Sequence, residues 1–402
     1  KLNWPSEVIP FQETLMADAF GNFQTLLTHV TLSPSMGVYL DMVNNDKANS
    51  VTQPNENYAR EVMQLFSIGT TLLNADGTPQ LDAQNNPLPT YDQKNITELA
   101  RALTGWTFAP VAGHITSGHN NYNTSAPMVP WDPNHDTGPK TLLSGFPLPA
   151  GQSAAQDLAG ALQNIFQHPN VGPFFGKLMI QHLVTSNPSP AYVQRVAAAF
   201  NDNGQGVRGD LKAVVSAILL DAEARQGDTG PQITTGGHLQ EPALLLAGVL
   251  RSLNAYVDDT NYFSWELFNM DQDLFRAPSV FNYYSPLHLL QGSSLFGPEF
   301  QIYTANTAMY RINLIANLFS SYSNNINSFG PGTTMDLTPY VNLASTPAVL
   351  VDALDNALTN GQMPSQMKQT IVTAVTGTTG NLRRAQVAIY LIVTSSYYEV
   401  WH

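Results

Sequence analysis

The stretch "PNENYAREVMQLFSIG" (Pro54–Gly69) combines the apolar spacing of a core helix with a dense cluster of polar side chains. On a helical wheel its apolar residues fall on one arc, and Glu56, Arg60 and Glu61 fall on the opposite arc. The pattern therefore predicts an amphipathic helix packed against a helical core. Helical periodicity of this kind is the primary signal for an α fold.

Two interpretations of the polar arc stay open. In the first it faces water, and its i, i+4 pairs, such as Glu56 with Arg60, add only about 0.2–0.5 kcal/mol each. In the second it lines a cleft, where Glu56 or Glu61 would act as acid or base and Arg60 would set their ionisation. The wheel alone does not distinguish a cleft from bulk water.

Helical segments continue on both sides of this stretch. Short turns between them predict antiparallel packing. One further helix is expected to begin at Ser33, with Pro34 in its first turn. We expect the others at 14–30, 93–104, 154–167, 171–185, 191–201, 210–222, 241–253, 303–320, 347–358, 365–376 and 382–395.

The clearest strand signal is "LLNADGTPQLDAQNNPLPTY" (Leu72–Tyr91), whose Asp-Gly and Asn-Asn-Pro turns predict a small β-hairpin. Periodicity then disappears between about Phe108 and Gly151, which predicts a long ordered loop region. There is no internal repeat and no low-complexity linker. We therefore expect residues 1–402 to form a mainly α, multi-helical single domain with one small hairpin and long ordered loops.

Composition limits the function classes. The chain has 402 residues, a charged fraction of only 12% and a formal charge of −13, with no cluster of Lys or Arg, so nucleic acid is an unexpected partner. There is no Cys, which excludes disulfides, thiolate metal sites and a cysteine nucleophile. The apolar runs are too short to span a bilayer, which takes about 20 residues. Abundant Gly, Pro, Asn and Thr suit a secreted protein with ordered loops.

Two further stretches carry candidate chemistry. "VGPFFGKLMIQHLV" (Val171–Val184) is apolar all round and predicts a buried helix, in which Lys177 needs a partner or faces the same cleft as the opening motif. "WDPNHDTGPKTLLSG" (Trp131–Gly145) joins His135, Asp136 and Lys140 in a loop that could present them to a ligand.

Other signals are less specific. His114 with His119, and His238 with Glu241, have spacings seen among metal ligands. Aromatic residues near loops resemble sugar-binding platforms, although core packing explains them equally well. They are Trp106, Trp131, Trp265, Tyr283 and Tyr284. No phosphate-binding glycine loop, H-E-x-x-H or G-x-S-x-G motif occurs, so the common nucleotide, zinc and serine hydrolase plans lack their usual residues.

Several passages in the same order resemble the large bacterial family catalogued as domain of unknown function 1800. They are "PNENYAREVMQLFSIGT", "ELARALTGWTF", "NHDTGPKTLL", "QHPNVGPFFGKLMIQHLV", "RGDLKAVVSAILLDAEAR", "FRAPSVFNYYSP", "GPEFQI" and "AIYLIVTSSYYE". The resemblance covers nearly the whole chain. It implies a mostly helical, exported bacterial protein, often encoded beside a sulfatase-like family, and it supplies no activity.

The resemblance also implies a candidate site, made of the motif residues Asn55, Glu56, Asn57, Arg60, Glu61, Arg101, Trp106, His135, Asp136, Lys140 and Lys177. Members of the family carry an N-terminal portion with a Trp-His-x-His-Phe stretch, which this sequence does not show. We expect the chain to be the C-terminal portion of a longer precursor, to work with a separate N-terminal piece, or to work without one.

Two function hypotheses follow. The first is an extracytoplasmic bacterial hydrolase or lyase acting on a glycan or other polymer, with Glu56, Glu61, His135 and Asp136 in acid-base roles. Seven further residues would then bind the substrate or adjust the charges of the acid-base groups. They are Asn55, Asn57, Arg60, Arg101, Trp106, Lys140 and Lys177. The hypothesis that Glu56, His135 and Asp136 bind a divalent metal ion stays open. The second hypothesis is a non-catalytic surface or assembly protein with an exported partner, whose polar motifs form structural ion pairs.

Overall fold

The computed structural model describes residues 2, 4–111, 118–229, 236–257, 261–320 and 335–401. The chain is 52% helical, and the sheets found within these residues are all two-stranded. The prediction of a mainly α, multi-helical fold is confirmed. Among the described residues, no helix is both long enough and apolar enough to cross a membrane.

The contacts group the chain into two compact units. Unit 1 comprises Lys1–Ile180 and Pro188–Asp221, and unit 2 comprises Gln181–Asn187 and Ala222–His402. Each unit has its own buried side chains and is described by itself. The expectation of a single domain stays a prediction.

Unit 1 contains the first nine helices, of which α7 also contributes its last turn to unit 2. The helices are α1 (Pro5–Asp18), α2 (Phe23–Leu32), α3 (Pro34–Tyr39), α4 (Asn57–Gln64), α5 (Gln93–Ala102), α6 (Ala154–Phe166), α7 (Val171–Leu183), α8 (Pro190–Asn201) and α9 (Leu211–Leu219). Two antiparallel pairs join them. They are β1 (Trp106–Thr107) with β2 (Val129–Pro130), and β3 (Lys140–Thr141) with β4 (Pro147–Leu148).

An aromatic cluster forms part of the core of unit 1. The Phe23 ring centroid lies 4.8 Å from that of Phe175 and 5.4 Å from that of Phe200. The Arg208 guanidinium covers the cluster, 5.1 Å from the Phe200 ring centroid. Burying each such ring contributes about 1.5–3 kcal/mol, so the aromatic residues of α2, α7 and α8 fix how these helices pack.

The segment 70–90 is the predicted hairpin, but it turns twice. Antiparallel bridges join Thr71 with Pro89, Leu73 with Pro79, and Leu81 with Pro87. Asp76 and Asp82 accept hydrogen bonds from backbone N–H groups within the two turns. The buried Asn170 side chain then holds this segment against the start of α7, because it accepts from the Leu73 N–H and donates to the Thr71 carbonyl.

One predicted boundary is wrong. The expected helix at 14–30 is two helices, since α1 ends at Asp18 and α2 begins at Phe23. The Asn22 side chain accepts a hydrogen bond from the Gln24 N–H and so caps the second helix.

Unit 2 contains the remaining helices around a core of aliphatic side chains. The helices are α10 (Pro242–Ser252), α11 (Asn261–Asn269), α12 (Ala305–Ser320), α13 (Thr338–Leu343), α14 (Pro347–Leu358), α15 (Ser365–Thr376), α16 (Asn381–Val393) and α17 (Ser396–Glu399). Strands β5 (His238–Leu239) and β6 (Val400–Trp401) pair near the end of the chain. Leu245, Val249, Leu350 and Ile389 are fully buried in the core. Helices α11, α13 and α17 were not predicted, and neither were the two-stranded sheets of the described residues.

Candidate functional site

Helix α5 organises the predicted site residues of unit 1. The Asp92 side chain accepts a hydrogen bond from the Asn95 N–H, and the Asn95 side chain accepts one from the Asp92 N–H, so the two residues form a capping box. The apolar face of α5 is buried. Gln93, Thr97 and Arg101 follow one another at i, i+4 spacing and form a polar stripe on the same helix.

Glu56 lies against the first half of this stripe. Its carboxylate accepts hydrogen bonds from Gln93 Nε2 at 3.0 and 2.8 Å and from Thr97 Oγ1 at 2.8 Å. Arg60 Nη2 is 3.4 Å from Glu56 Oε2, and the two side chains are 40% and 31% exposed. Glu56 is therefore a solvent-accessible carboxylate held in a polar environment.

Glu61 has a different environment, although both residues belong to the opening motif. Only 5% of Glu61 is exposed, and its Oε2 atom has no hydrogen-bond partner among the residues that the structure describes. Loss of water raises the pKa of Glu61, and the nearby Arg60 charge opposes this shift. Tyr91 is close enough for Glu61 to contribute to its raised pKa, although burial is the larger cause. The helical wheel placed Glu61 on the solvent-facing side of the helix, but in the folded protein this side chain is buried.

The two asparagines of the motif fix the backbone at the start of α4. The Asn45 side chain bonds to both backbone groups of Asn55, at 2.8 and 3.1 Å. Asn55 Oδ1 accepts from the Asn57 N–H at 2.8 Å, and Asn57 Nδ2 donates to Asp41 at 3.2 Å. Asn55 is exposed and Asn57 is half-buried, and the bonds that both make position the start of the helix and leave fewer of their groups for a ligand.

Trp106 is linked to the same Asn45 segment. The Gly105 N–H donates to the Asn45 carbonyl at 2.8 Å, and the Trp106 carbonyl accepts from the Asn44 N–H at 2.7 Å. The Trp106 ring is buried, and its Nε1 has no hydrogen-bond partner in the described part of the chain. The motif "NEN" and the turn at Trp106 therefore lie close together, but the ring is part of the core and does not form an exposed platform.

His135 and Lys140 meet at a carboxylate that sequence reasoning missed. Asp157 Oδ2 lies 2.6 Å from Lys140 Nζ and 3.1 Å from His135 Nε2, and all three side chains are 0% exposed. Lys140 Nζ also donates to the backbone carbonyls of Asp136 and Gly138. The loop was expected to present these groups to a ligand, but α6 covers them with a buried ion-pair network.

The other ring nitrogen of His135 faces the end of α5. His135 Nδ1 lies 2.9 Å from the Thr104 carbonyl and 3.2 Å from Thr104 Oγ1. Donation from Nδ1 to the carbonyl leaves Nε2 of a neutral ring without a proton, whereas a protonated ring donates to both partners. Thr104 Oγ1 also accepts from the Asp136 N–H at 2.9 Å, so Thr104 fixes the loop at two points.

Asp136 is half-buried and paired with Arg101. Arg101 Nε and Nη2 reach the two Asp136 oxygens at 2.8 and 3.1 Å, and Arg101 Nη1 lies 3.0 Å from both Glu98 oxygens. Burial acts to raise the pKa of Asp136, but hydrogen bonds from Arg101 and the Gly138 N–H outweigh it, so this pKa is lowered. The Asp136 hydrogen bond also raises the pKa of Arg101. Asp136 is therefore held ionised, which makes it a poor proton donor.

Lys177 lies on α7, where it is half-buried, and burial lowers its pKa. Its membership of the site stays a prediction. The structure thus joins Glu56 and Arg60 to the first half of α5. It joins His135, Asp136, Lys140 and Arg101 around the end of α5.

The metal hypothesis receives no geometric support. Across the described ranges, no three His, Asp or Glu side chains are arranged to hold a metal ion. Glu56 bonds to α5, while His135 bonds to Asp157, so the expected ligands do not converge. His114 lies outside the described residues, and His119 contacts Asp46 at 3.0 Å. His238 contacts Glu299 at 3.3 Å.

One sequence signal could have identified Asp157. The passage "SAAQDLAGALQNIF" places this acidic residue next to the apolar stripe of α6, four positions before Ala161. A charged residue on a buried helix face requires a partner of opposite charge. Which partner it finds, however, depends on a loop contact that spacing along the sequence does not contain.

The comparisons with known proteins identify the family. A family model described as "Protein of unknown function (DUF1800)" matches residues 3–400. No curated protein and no solved structure matches the chain. Because the family model spans nearly the whole chain, the protein belongs to the DUF1800 family.

Proposed function

We propose that this chain is a hydrolase or lyase that acts on a glycan or other extracellular polymer, with Glu61 as the acid and Glu56 as the base. The observation that carries the proposal is the contrast between these two carboxyl groups. Glu61 is buried, has a raised pKa and has one oxygen to which no described residue bonds, while Glu56 is accessible and surrounded by hydrogen-bond donors. Different environments for two nearby carboxyl groups are how enzymes assign acid and base roles.

Each group has a defined part in the proposed reaction. Protonated Glu61 would donate its proton to the leaving oxygen as the glycosidic or ester bond breaks. Glu56 would accept a proton, from water in hydrolysis or from a substrate carbon in elimination. Arg60 lies beside both groups, and its charge opposes the raised pKa of Glu61.

The remaining predicted residues would act as positioning residues. Asp157 holds Lys140 and His135 in the protein interior, and Arg101 connects the Asp136 loop to α5. Because Gln93 and Thr97 on the same helix bind Glu56, the loop network would hold Glu56 in place through α5.

We place the protein outside the bacterial cytoplasm, in the periplasm or secreted. Supporting features are the resemblance of its passages to exported proteins and a polar composition dominated by neutral side chains. A formal charge of −13 disfavours nucleic acid as a partner. Neutral hydrogen-bonding groups suit a glycan or similar polymer.

The test is the release of soluble products from bacterial and plant polysaccharide mixtures by the purified protein. Glu61→Gln and Glu56→Gln should each lower product release by about 100-fold or more, the usual contribution of a general acid or base. Glu13→Gln is the matched control, because Glu13 is an exposed carboxylate in unit 1. Full activity in both site variants would disprove the assignment.

A second candidate function is favoured by the complete burial of the His135–Asp157–Lys140 network. Such a network holds a loop in place without contacting a substrate. In this alternative the protein is a surface or assembly component that binds an exported protein partner. It predicts that wild-type protein releases no product from any mixture, while Asp157→Asn abolishes partner binding together with loop order.

A further inference from the structure

Several passages that the proposed chemistry does not use meet in unit 2. They are the "GHLQE" stretch, the "FNYYSP" stretch, "GPEF" and the final "SSYYE". Five polar residues of these passages lie close enough to interact with one another or with Arg311 of α12. They are His238, Glu241, Tyr284, Glu299 and Glu399. We call this group the unit 2 cluster.

A histidine–glutamate pair lies inside the cluster. His238 Nδ1 is 3.3 Å from Glu299 Oε1, and both residues are more than nine-tenths buried. A hydrogen bond to a carboxylate requires Nδ1 to carry the proton, so Nε2 of the neutral ring is an acceptor. Both His238 Nε2 and Glu299 Oε2 lack a hydrogen-bond partner among the described residues.

Arg311 contributes the opposite kind of group. It is 1% exposed, its Nη1 donates to the Gln240 carbonyl at 2.8 Å, and its Cζ lies 4.8 Å from the Tyr303 ring centroid. Its Nε and Nη2 atoms have no hydrogen-bond partner within the part of the chain that the structure describes. Those two nitrogens form the edge with which arginine binds two oxygens at once.

The acidic residues near Arg311 are already partly engaged. Tyr284 donates to Glu241 Oε2 at 2.7 Å, and Tyr303 donates to Glu399 Oε2 at 3.1 Å. Burial lowers the pKa of Arg311, and Glu399, Glu241 and Glu299 oppose this shift. The guanidinium is therefore surrounded by carboxylates, yet its bidentate edge is not bound by any of them.

The cluster has an accessible side. His182 at the end of α7 is exposed, but surrounding protein lowers its pKa, while Glu299 and Glu241 oppose this shift. Trp401 is 42% exposed, and its ring packs edge-on against His238 with a centroid separation of 5.5 Å. A solvent-reached imidazole and an exposed indole therefore border the buried polar atoms.

We propose that the unit 2 cluster binds a neutral, hydroxyl-rich ligand of the carbohydrate class. A hydroxyl group both donates and accepts, so neighbouring hydroxyls can accept from the Arg311 edge and donate to Glu299 and His238. An anion would face three carboxylates, and a cation would face Arg311. The exposed Trp401 ring offers an apolar face for the C–H side of a sugar ring.

This site goes beyond the proposed function, because it uses no residue of unit 1. Buried polar atoms without partners cost free energy, so a protein gains little from them unless a ligand uses them. The inference stands whether or not Glu61 and Glu56 perform catalysis.

The test is calorimetric titration of the full chain with cellohexaose and chitohexaose as neutral probes. Hexagalacturonate and the hexamer of glucosamine serve as the anionic and cationic probes. At least one neutral probe should bind with a Kd of about 1 mM or tighter, and at least 10-fold tighter than either charged probe. Failure of both neutral probes to bind, or tighter binding of a charged probe, overturns the proposal.

Three variants locate the binding. Arg311→Lys keeps the charge but removes the bidentate edge, and Glu299→Gln removes one acceptor oxygen; each should weaken binding about 10-fold. His182→Ala changes an exposed side chain, so it preserves folding and should weaken binding about 3-fold. If circular dichroism shows that a buried variant does not fold, His182→Ala decides the question.

Two controls separate this site from unit 1. His29→Ala replaces an exposed histidine of unit 1 and should leave the Kd unchanged. Glu13→Gln, which changes an exposed carboxylate of unit 1, should also leave the Kd unchanged. Unchanged binding in His182→Ala and in every folded buried variant would show that the ligand binds elsewhere and would refute the inference.

Discussion

Replacing Asp157 with asparagine should destabilise unit 1 by about 3 kcal/mol, the lower end of the range for breaking a buried ion pair. The change keeps the side-chain volume but removes the charge that Lys140 and His135 share at 2.6 and 3.1 Å. The lower end of the range applies because Lys140 Nζ keeps its hydrogen bond to the Gly138 carbonyl at 2.9 Å and its ion pair with Asp136 Oδ1 at 3.9 Å. These groups partly compensate the isolated ammonium.

The assay is thermal unfolding of the wild-type and Asp157→Asn proteins at neutral pH, combined with hydrogen exchange. For a unit of roughly 200 residues, about 3 kcal/mol lowers the Tm by about 6–12 °C. Peptides from α6 should exchange faster in the variant, because α6 carries Asp157. Peptides from α14 serve as an internal control, since α14 belongs to unit 2.

Two further variants make the reasoning testable. The double variant Asp157→Leu, Lys140→Met replaces the charged pair with apolar side chains, and its stability should be close to that of wild type or higher. Glu56→Gln removes one partner of an exposed pair and should cost less than about 1 kcal/mol. A loss below about 1 kcal/mol in Asp157→Asn would refute the idea that the network stabilises the loop.

Three other predictions follow from the same geometry. In urea titration, Gly105→Ala should destabilise the protein more than Gly151→Ala does. Both glycines have a positive φ, and this left-handed backbone alone costs an alanine about 1–2 kcal/mol at each position. Only at Gly105 would the new Cβ also lie 2.9 Å from His135. Glu61→Gln should raise the Tm relative to wild type, and this Tm difference should grow from pH 4 to pH 8. The raised pKa of Glu61 stabilises the wild type below the unfolded-state pKa of about 4.3, and this stabilisation is lost as the pH rises through the folded-state pKa. A Tm difference that shrinks with pH would contradict this sign. Arg101→Lys should cost about 1–2 kcal/mol in urea titration, because lysine cannot replace the bidentate contact; an unchanged midpoint would show that this contact adds nothing.

The helices were predictable where local rules and the core agree. Asp92 begins α5 with a capping box, and the apolar spacing of Pro54–Gly69 correctly indicated α4. The break between α1 and α2 was missed because its signal is a single asparagine cap within continuous apolar periodicity. Strands of two residues were missed because distant partners hold them and the strands have no periodicity of their own.

The candidate site was predictable as a set of residues but not as an arrangement. Sequence motifs named Glu56, Arg60, His135 and Lys140, yet they did not indicate Asp157, to which two of them bind. Burial also changed the meaning of Glu61, which the helical wheel assigned to the wet face. Neither fact follows from spacing, since each depends on a segment far away in the chain.

The sequence by itself determined the helical class, the caps and the chemical types that could act, because these follow from backbone hydrogen bonding and from apolar spacing within each segment. Only the tertiary structure decided which charges lose contact with water and which polar groups meet across long stretches of chain. Desolvation and pairing depend on all neighbours of a side chain at once. They therefore separate the buried Lys140 from the accessible Glu56, and they bring His238, Glu299 and Arg311 together in unit 2.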